Sequence, residues 1–203
     1  NQQVVGSSPI FSLALHLCRA FLIFIFRGTT MNDESRYQHL THTFDPVYTE
    51  NSKILILGSF PSVKSREEGF FYGHPRNRFW SVISRIFECE KPMSIPEKKA
   101  FLLKNDIALW DTIHSCDIIG SSDSSIKNVI PSDINLILSY ADIKAVFCNG
   151  ATSHKLYMKY CYPSTKRAAV KLPSTSPANA AWSEDRLTAA WKEEIYKYIM
   201  TKA

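Results

Sequence analysis

The residues best suited to chemistry in this 203-residue chain gather in a few short segments. The first is Gly58-Ser59-Phe60-Pro61-Ser62, running on to Gly69-Phe70-Phe71-Tyr72-Gly73-His74-Pro75-Arg76-Asn77-Arg78-Phe79-Trp80. Exposed backbone amides beside glycine can cradle an anion or a carbonyl oxygen. Aromatic rings can stack on a base, and arginines can meet phosphates. Phe79 and Trp80 read as core. Tyr72 and Asn77 read as functional, because a polar amide among apolar residues needs a partner. The second segment is Leu172-Pro173-Ser174-Thr175-Ser176-Pro177-Ala178-Asn179. Its amides and hydroxyls could grip phosphates or push into a duplex, although Pro/Ser loops are also common connectors. The third joins Asp111-Thr112 to Ser115-Cys116 and to residues 120–125. Asp111 could be a base, a ligand for a substrate edge or a cap, while residues 121–125 read as an ordinary loop. His114 and His154 have no metal-ligand neighbour at useful spacing, so no metal site is expected. Nothing marks Lys171 as a Schiff-base lysine.

These segments need a scaffold, and the apolar runs supply one. Residues 53–58, 107–113, 144–149 and 168–172 are short continuous apolar stretches, the pattern of strands buried on both faces. Helical patterns fall between and after them, at 77–87, 96–104, 131–140, 151–160 and 183–200. Strands alternating with helices predict a three-layer α/β/α sandwich around a four-stranded, mostly parallel sheet. Ligands in such sheets bind outside the carboxyl ends of the strands. That rule points to residues 58–73, 111–125, Asn149-Gly150 and 173–179.

Composition narrows the class further. Hydrophobic residues make up 45%, enough for a packed core. The formal net charge of +5 permits a polyanionic partner without requiring one. Five cysteines, none in a C-x-x-C pair, argue against a disulfide framework, a zinc knuckle or an iron–sulfur cluster and fit a reducing cytoplasm. The apolar run at 10–26 is short for a membrane span and carries His16 and Arg19, so no membrane partner is expected. Gly6-Ser7-Ser8-Pro9 is also what the arm of a transfer-RNA gene, GGT-TCG-AGT-CC, would decode to. Met31 opens a polar start, MNDESRYQ. Residues 1–30 are therefore expected to be a read-through or non-native extension, and 31–203 a single domain.

Taken together, GSFPS at 58–62, GFFYGHPRNRFW at 69–80 and LPSTSPANA at 172–180 resemble the uracil-DNA glycosylase superfamily. The resemblance runs from about Phe44 to Tyr198 and is nearest the hypoxanthine-DNA (DNA-deoxyinosine) glycosylase branch. HPRNRFW also resembles the mismatch-specific uracil/thymine branch. Two departures bear on the substrate. Relatives of the mismatch type carry a water-holding Asn where this chain has Phe60, and uracil enzymes open the last motif with His where this chain has Leu172.

The resemblance implies a monofunctional hydrolase that flips a damaged base out of double-stranded DNA and cleaves its glycosidic bond, with no metal or cofactor. It implies Asn77 as the catalytic polar group. It places Gly58, Ser59, Phe60, Tyr72 and His74 at the base, and Pro173, Ser174, Ser176 and Asn179 on the DNA. The protein is expected to be a cytoplasmic monomer. Two readings remain beside this one: a uracil or mismatched-thymine glycosylase, and a nucleic-acid-binding domain without catalysis. A nucleotide-binding or phosphate-transfer enzyme would show G-x-x-x-x-G-K-[ST], which is absent.

Overall fold

A computed structural model describes residues 36–199. The expectation for residues 1–30 lies outside them. The chain divides into two units, 1–37 and 38–203, and both sheets lie in the second.

Four apolar runs form one sheet. β2 (Ile54–Gly58), β3 (Ile107–Asp111) and β6 (Ala145–Asn149) are buried along almost their whole length, and β7 (Ala169–Leu172) closes one edge. The order is β3-β2-β6-β7 and every pairing is parallel. Ile54, Leu55, Ile56 and Leu57 are all fully buried, because a central parallel strand has helices over both faces. The helices are α1 (Val63–Glu68), α2 (Phe79–Ile86), α3 (Ile95–Lys104), α4 (Asn135–Tyr140), α5 (Ala151–Leu156), α6 (Tyr162–Thr165) and α7 (Glu184–Ile199). Phe79 of α2 meets Trp191 of α7 edge to face, with ring centroids 5.9 Å apart, and both are fully buried. The α/β/α sandwich is as the sequence predicts.

Three local expectations need correction. The run at 107–113 is not one strand. It ends at Asp111, and the chain bends at the buried Thr112, whose N–H and hydroxyl both donate to the Gly58 carbonyl at 2.9 and 2.8 Å. Beyond the bend, β4 (Ile113–Ile118) joins a second, antiparallel sheet with β1 (Gln38–Thr41) and β5 (Lys127–Pro131), in the order β1-β4-β5. The helix expected from residue 131 starts at Asn135, because Pro131 ends β5. The helix at 151–160 stays α-helical only to Leu156. Residues Tyr157–Cys161 widen into a π-turn before Tyr162-Pro163, where Pro163 has no N–H to continue the ladder. The short α1 has no counterpart in the sequence reading. Ser62 caps it and Gly69 ends it in the left-handed conformation (φ +68°).

Candidate active site

From β2 the chain passes to β3 on one side, then returns to β6 on the other. The crevice at such a switch point lies between the carboxyl ends of β2 and β6, at Gly58 and Asn149. A cavity of about 280 Å³ opens there, lined by both residues. That lies just below the usual range for ligand sites, roughly 300–1,000 Å³, and suits a single base better than a bulkier ligand.

Gly58, Asp111 and Tyr72 form its floor. A Cβ on Gly58 would stand 2.1 Å from Asp111 Oδ1 and 3.3 Å from Tyr72 Oη, so only glycine lets these two oxygens close in over the strand end. Tyr72 is held with φ +54°, an uncommon conformation for a bulky residue, and its ring stacks on Phe79 at 4.0 Å. Its hydroxyl is buried without a hydrogen-bond partner among the described residues. Burial, and then the neighbouring Asp111 carboxylate, push the phenol far above its ordinary pKa, against a smaller opposing pull from the nearby Asn149 amide, so it stays neutral. Asp111 Oδ2 pairs with His42 Nε2 at 3.0 Å, while Oδ1 has no donor among the described residues. The floor thus sets a buried O–H group, close to the Asn149 amide, beside a carboxylate oxygen that has no donor among the described residues.

Asn77 stands on the wall, and its amide is divided between two duties. Oδ1 accepts from the Phe79 N–H at 2.9 Å, at the first turn of α2, and from Thr175 Oγ1 at 3.0 Å. Thr175 is fully buried and in turn accepts from Asn149 Nδ2 at 2.8 Å, while its own N–H donates to Asn149 Oδ1 at 2.9 Å. These bonds fix which way the Asn77 amide faces. Its Nδ2 has no acceptor among the described residues, and Asn77 lines the cavity.

The sequence matches the uracil DNA glycosylase superfamily over residues 46–199. Two relatives from Methanosarcina are each named hypoxanthine DNA glycosylase. The M. acetivorans protein is 33% identical over 159 residues, covering 76% of this chain and 97% of that one. The M. barkeri protein is 34% identical over 112 residues, covering 54% and 71%. A solution NMR structure from M. acetivorans, described as a candidate uracil DNA glycosylase, aligns with a TM-score of 0.64 and 30% identity over 74% of this chain and 92% of the other.

This chain belongs to the uracil DNA glycosylase superfamily. Its chemistry is therefore hydrolysis of an N-glycosyl bond, and its substrate is DNA.

Eight of the expected site residues line this cavity: Gly58, Ser59, Phe60, Tyr72, His74, Asn77, Ser174 and Ser176. The Phe60 ring also serves a small second core with Ile113, Cys116 and Ile118. Pro173 and Asn179 do not line the cavity. The Pro173 carbonyl accepts from Trp191 Nε1 at 2.9 Å, and Asn179 Nδ2 donates to the Ser174 carbonyl at 2.9 Å, so both brace the loop from behind. Arg78 is likewise turned inward. Its guanidinium donates to the carbonyls of Thr175, Ser176, Asn179 and Trp182, which makes it a clamp for this loop.

Four participants carried no assigned role in the sequence reading: His42, Asp123, Asn149 and Thr175. Asn149 was reachable from the strand-end rule. Asp123 lies in the segment read as an ordinary loop, yet it lines the cavity and accepts from Ser59 Oγ at 2.9 Å. The same loop is tied to α1 where the Val63 N–H donates to Ser121 Oγ at 2.9 Å. Among the described residues, no three His, Cys, Asp or Glu side chains are arranged to hold a metal ion, and no helix is long and apolar enough to cross a membrane.

Proposed function

We propose that this chain is a monofunctional DNA glycosylase that flips deoxyinosine out of duplex DNA and releases hypoxanthine, acting as a monomer in the cytoplasm without a metal or cofactor. The observation that carries the reading is the cavity floor, where the Tyr72 hydroxyl and Asp111 Oδ1 stand unpartnered side by side. Deamination turns the amino-and-imine edge of adenine into a carbonyl next to an N–H. A neutral hydroxyl donates to that carbonyl, and a carboxylate accepts from that N–H. Adenine offers the opposite pattern and meets like against like. The names of the Methanosarcina relatives support the same substrate.

In this reading the flipped base enters the cavity, and extrusion costs a few kcal/mol, least for a weak pair. Ser174 and Ser176 meet the DNA backbone on the cavity side of their loop, which Pro173 and Asn179 support. The C1′–N9 bond breaks with its electron pair passing to the base. Donors at Gly58, Ser59 and Tyr72 stabilise the charge on the departing ring. Water forms the new C1′–O bond and releases a proton to solvent, and the base takes up one proton. Because Asn77 Oδ1 is already occupied, Asn77 holds the water through Nδ2, donating to its oxygen. An oxocarbenium-like centre needs only a well-placed nucleophile, not a strongly activated one.

Uracil and xanthine carry the same carbonyl-and-N–H edge, so the test is a panel. Free base is measured from duplexes bearing hypoxanthine, uracil, xanthine or a mismatched thymine, with an undamaged adenine control. The expected result is fastest release of hypoxanthine, an uncut abasic strand until alkali is added, and no release of adenine. Preference for uracil or thymine would move the assignment to the mismatch branch. DNA binding with no base released would make the protein a binding domain.

A further inference from the structure

We propose that His42 is a positioning residue for base selection: it holds Asp111 in the one orientation that turns Oδ1 to the flipped base. This rests on the proposed role of Asp111 at the base edge. His42 follows β1 in the small antiparallel sheet, which carries none of the stretches that resemble the superfamily. Its N–H donates to the His114 carbonyl at 2.7 Å, fastening it to β4. Its ring is enclosed by Phe44, Phe71 and Phe60, with centroids 4.4, 5.9 and 6.3 Å away. The His42 and Asp111 side chains are 2% and 6% exposed. Within that apolar enclosure, the bond from Nε2 to Asp111 Oδ2 is the only side-chain hydrogen bond His42 makes among the described residues.

A buried carboxylate needs a donor, and where the donor sits decides which oxygen is left over. With Oδ2 taken from behind, Oδ1 is free above Gly58 at the cavity floor. Without the imidazole, Asp111 can rotate toward another donor, of which the nearest candidate is the unpartnered Tyr72 hydroxyl. A carboxylate bonded to that hydroxyl would cancel both halves of the recognition pattern together. His42 therefore acts on selectivity without touching the base. A bystander that merely fills the apolar pocket would support folding and leave selectivity alone.

The test uses the full chain and single-turnover base release from deoxyinosine and deoxyadenosine duplexes, with a thermal melt of each preparation. His42→Phe keeps an aromatic ring and removes the donor, and His42→Gln keeps an N–H donor of similar reach. We expect His42→Phe to release hypoxanthine at least tenfold more slowly and to discriminate less against adenine. His42→Gln should recover most of both. Asp111→Asn gives the third arm. If His42 works through Asp111, His42→Phe adds little further slowing on that background, since the two act as one unit. Should His42→Phe melt too low to assay, His42→Gln and Asp111→Asn still decide, because loss of selectivity in a well-folded His42→Gln protein overturns the proposal. Full activity and selectivity in His42→Phe also overturn it, and leave the hypoxanthine assignment standing. Failure of the wild-type protein to release hypoxanthine would remove the assignment itself.

Discussion

At Tyr72 the ring and the hydroxyl meet different surroundings, the ring stacked on Phe79. Its hydroxyl lies in the interior with no partner among the described residues, an arrangement that costs about 1–3 kcal/mol in desolvation. Phenylalanine removes that cost and keeps the stack on Phe79. Tyr72→Phe is therefore expected to melt at the same temperature as wild type or higher, while hypoxanthine release slows on the order of tenfold. Thermal melts and single-turnover rates on one preparation check both halves. A variant that is both more stable and fully active would show that the hydroxyl does not meet the base. Tyr72 and Asn77 were legible in the sequence because they sit inside a dense run of glycines, aromatics and arginines. In the structure the Tyr72 ring packs on Phe79, and its hydroxyl is buried without a hydrogen-bond partner among the described residues. His42 was not legible, since it lies 69 residues from Asp111 with nothing in its surroundings to mark it.

Among the elements, the loop at 173–182 depends on one side chain from a distant helix start. Arg78 reaches four of its carbonyls, and the Arg78 N–H adds a bond to the Thr175 carbonyl at 3.1 Å. Arg78→Ala removes the guanidinium bonds and lets Ser174 and Ser176 drift from the cavity. It should destabilise the protein by about 2 kcal/mol and weaken duplex binding at fixed salt. Arg78→Lys should restore only part, because an ammonium cannot reproduce the planar fork. Denaturant unfolding and duplex titration measure the two effects. Unchanged affinity in a destabilised Arg78→Ala protein would make the loop a connector only. Sequence patterns revealed β2, β3 and β6 because burial on both faces writes an unbroken apolar run; the edge strand β7, with only Leu172 buried, was marked more weakly. They concealed the second sheet. β4 reads IHSCDI, where His114 is exposed while Ser115 and Cys116 are both buried, and the exposed Ile130 of β5 spoils its alternation.

For the molecule as a whole, the strand order β3-β2-β6-β7 sets where the candidate site lies. It brings residues 58–62, 71–77, 111, 149 and 174–177, scattered over more than half the chain, to one end of the sheet. The parallel-strand rule predicted that end, and the motifs predicted most of its wall. The contribution of the small sheet, which delivers His42 behind the floor, needed three dimensions. The central claim, a water-driven glycosidic cleavage organised by Asn77, is tested most directly by Asn77→Ala. Alanine removes the Nδ2 donor along with the Oδ1 that accepts from Phe79 N–H and Thr175 Oγ1, so it also gives up that cap, at about 1 kcal/mol. Single-turnover release of hypoxanthine from a deoxyinosine duplex, measured below the melting transition, should fall on the order of 10²-fold, with a slightly lower melting temperature and duplex affinity near wild type. Release at the wild-type rate would contradict the account, because the one polar group it places on the water would then be dispensable.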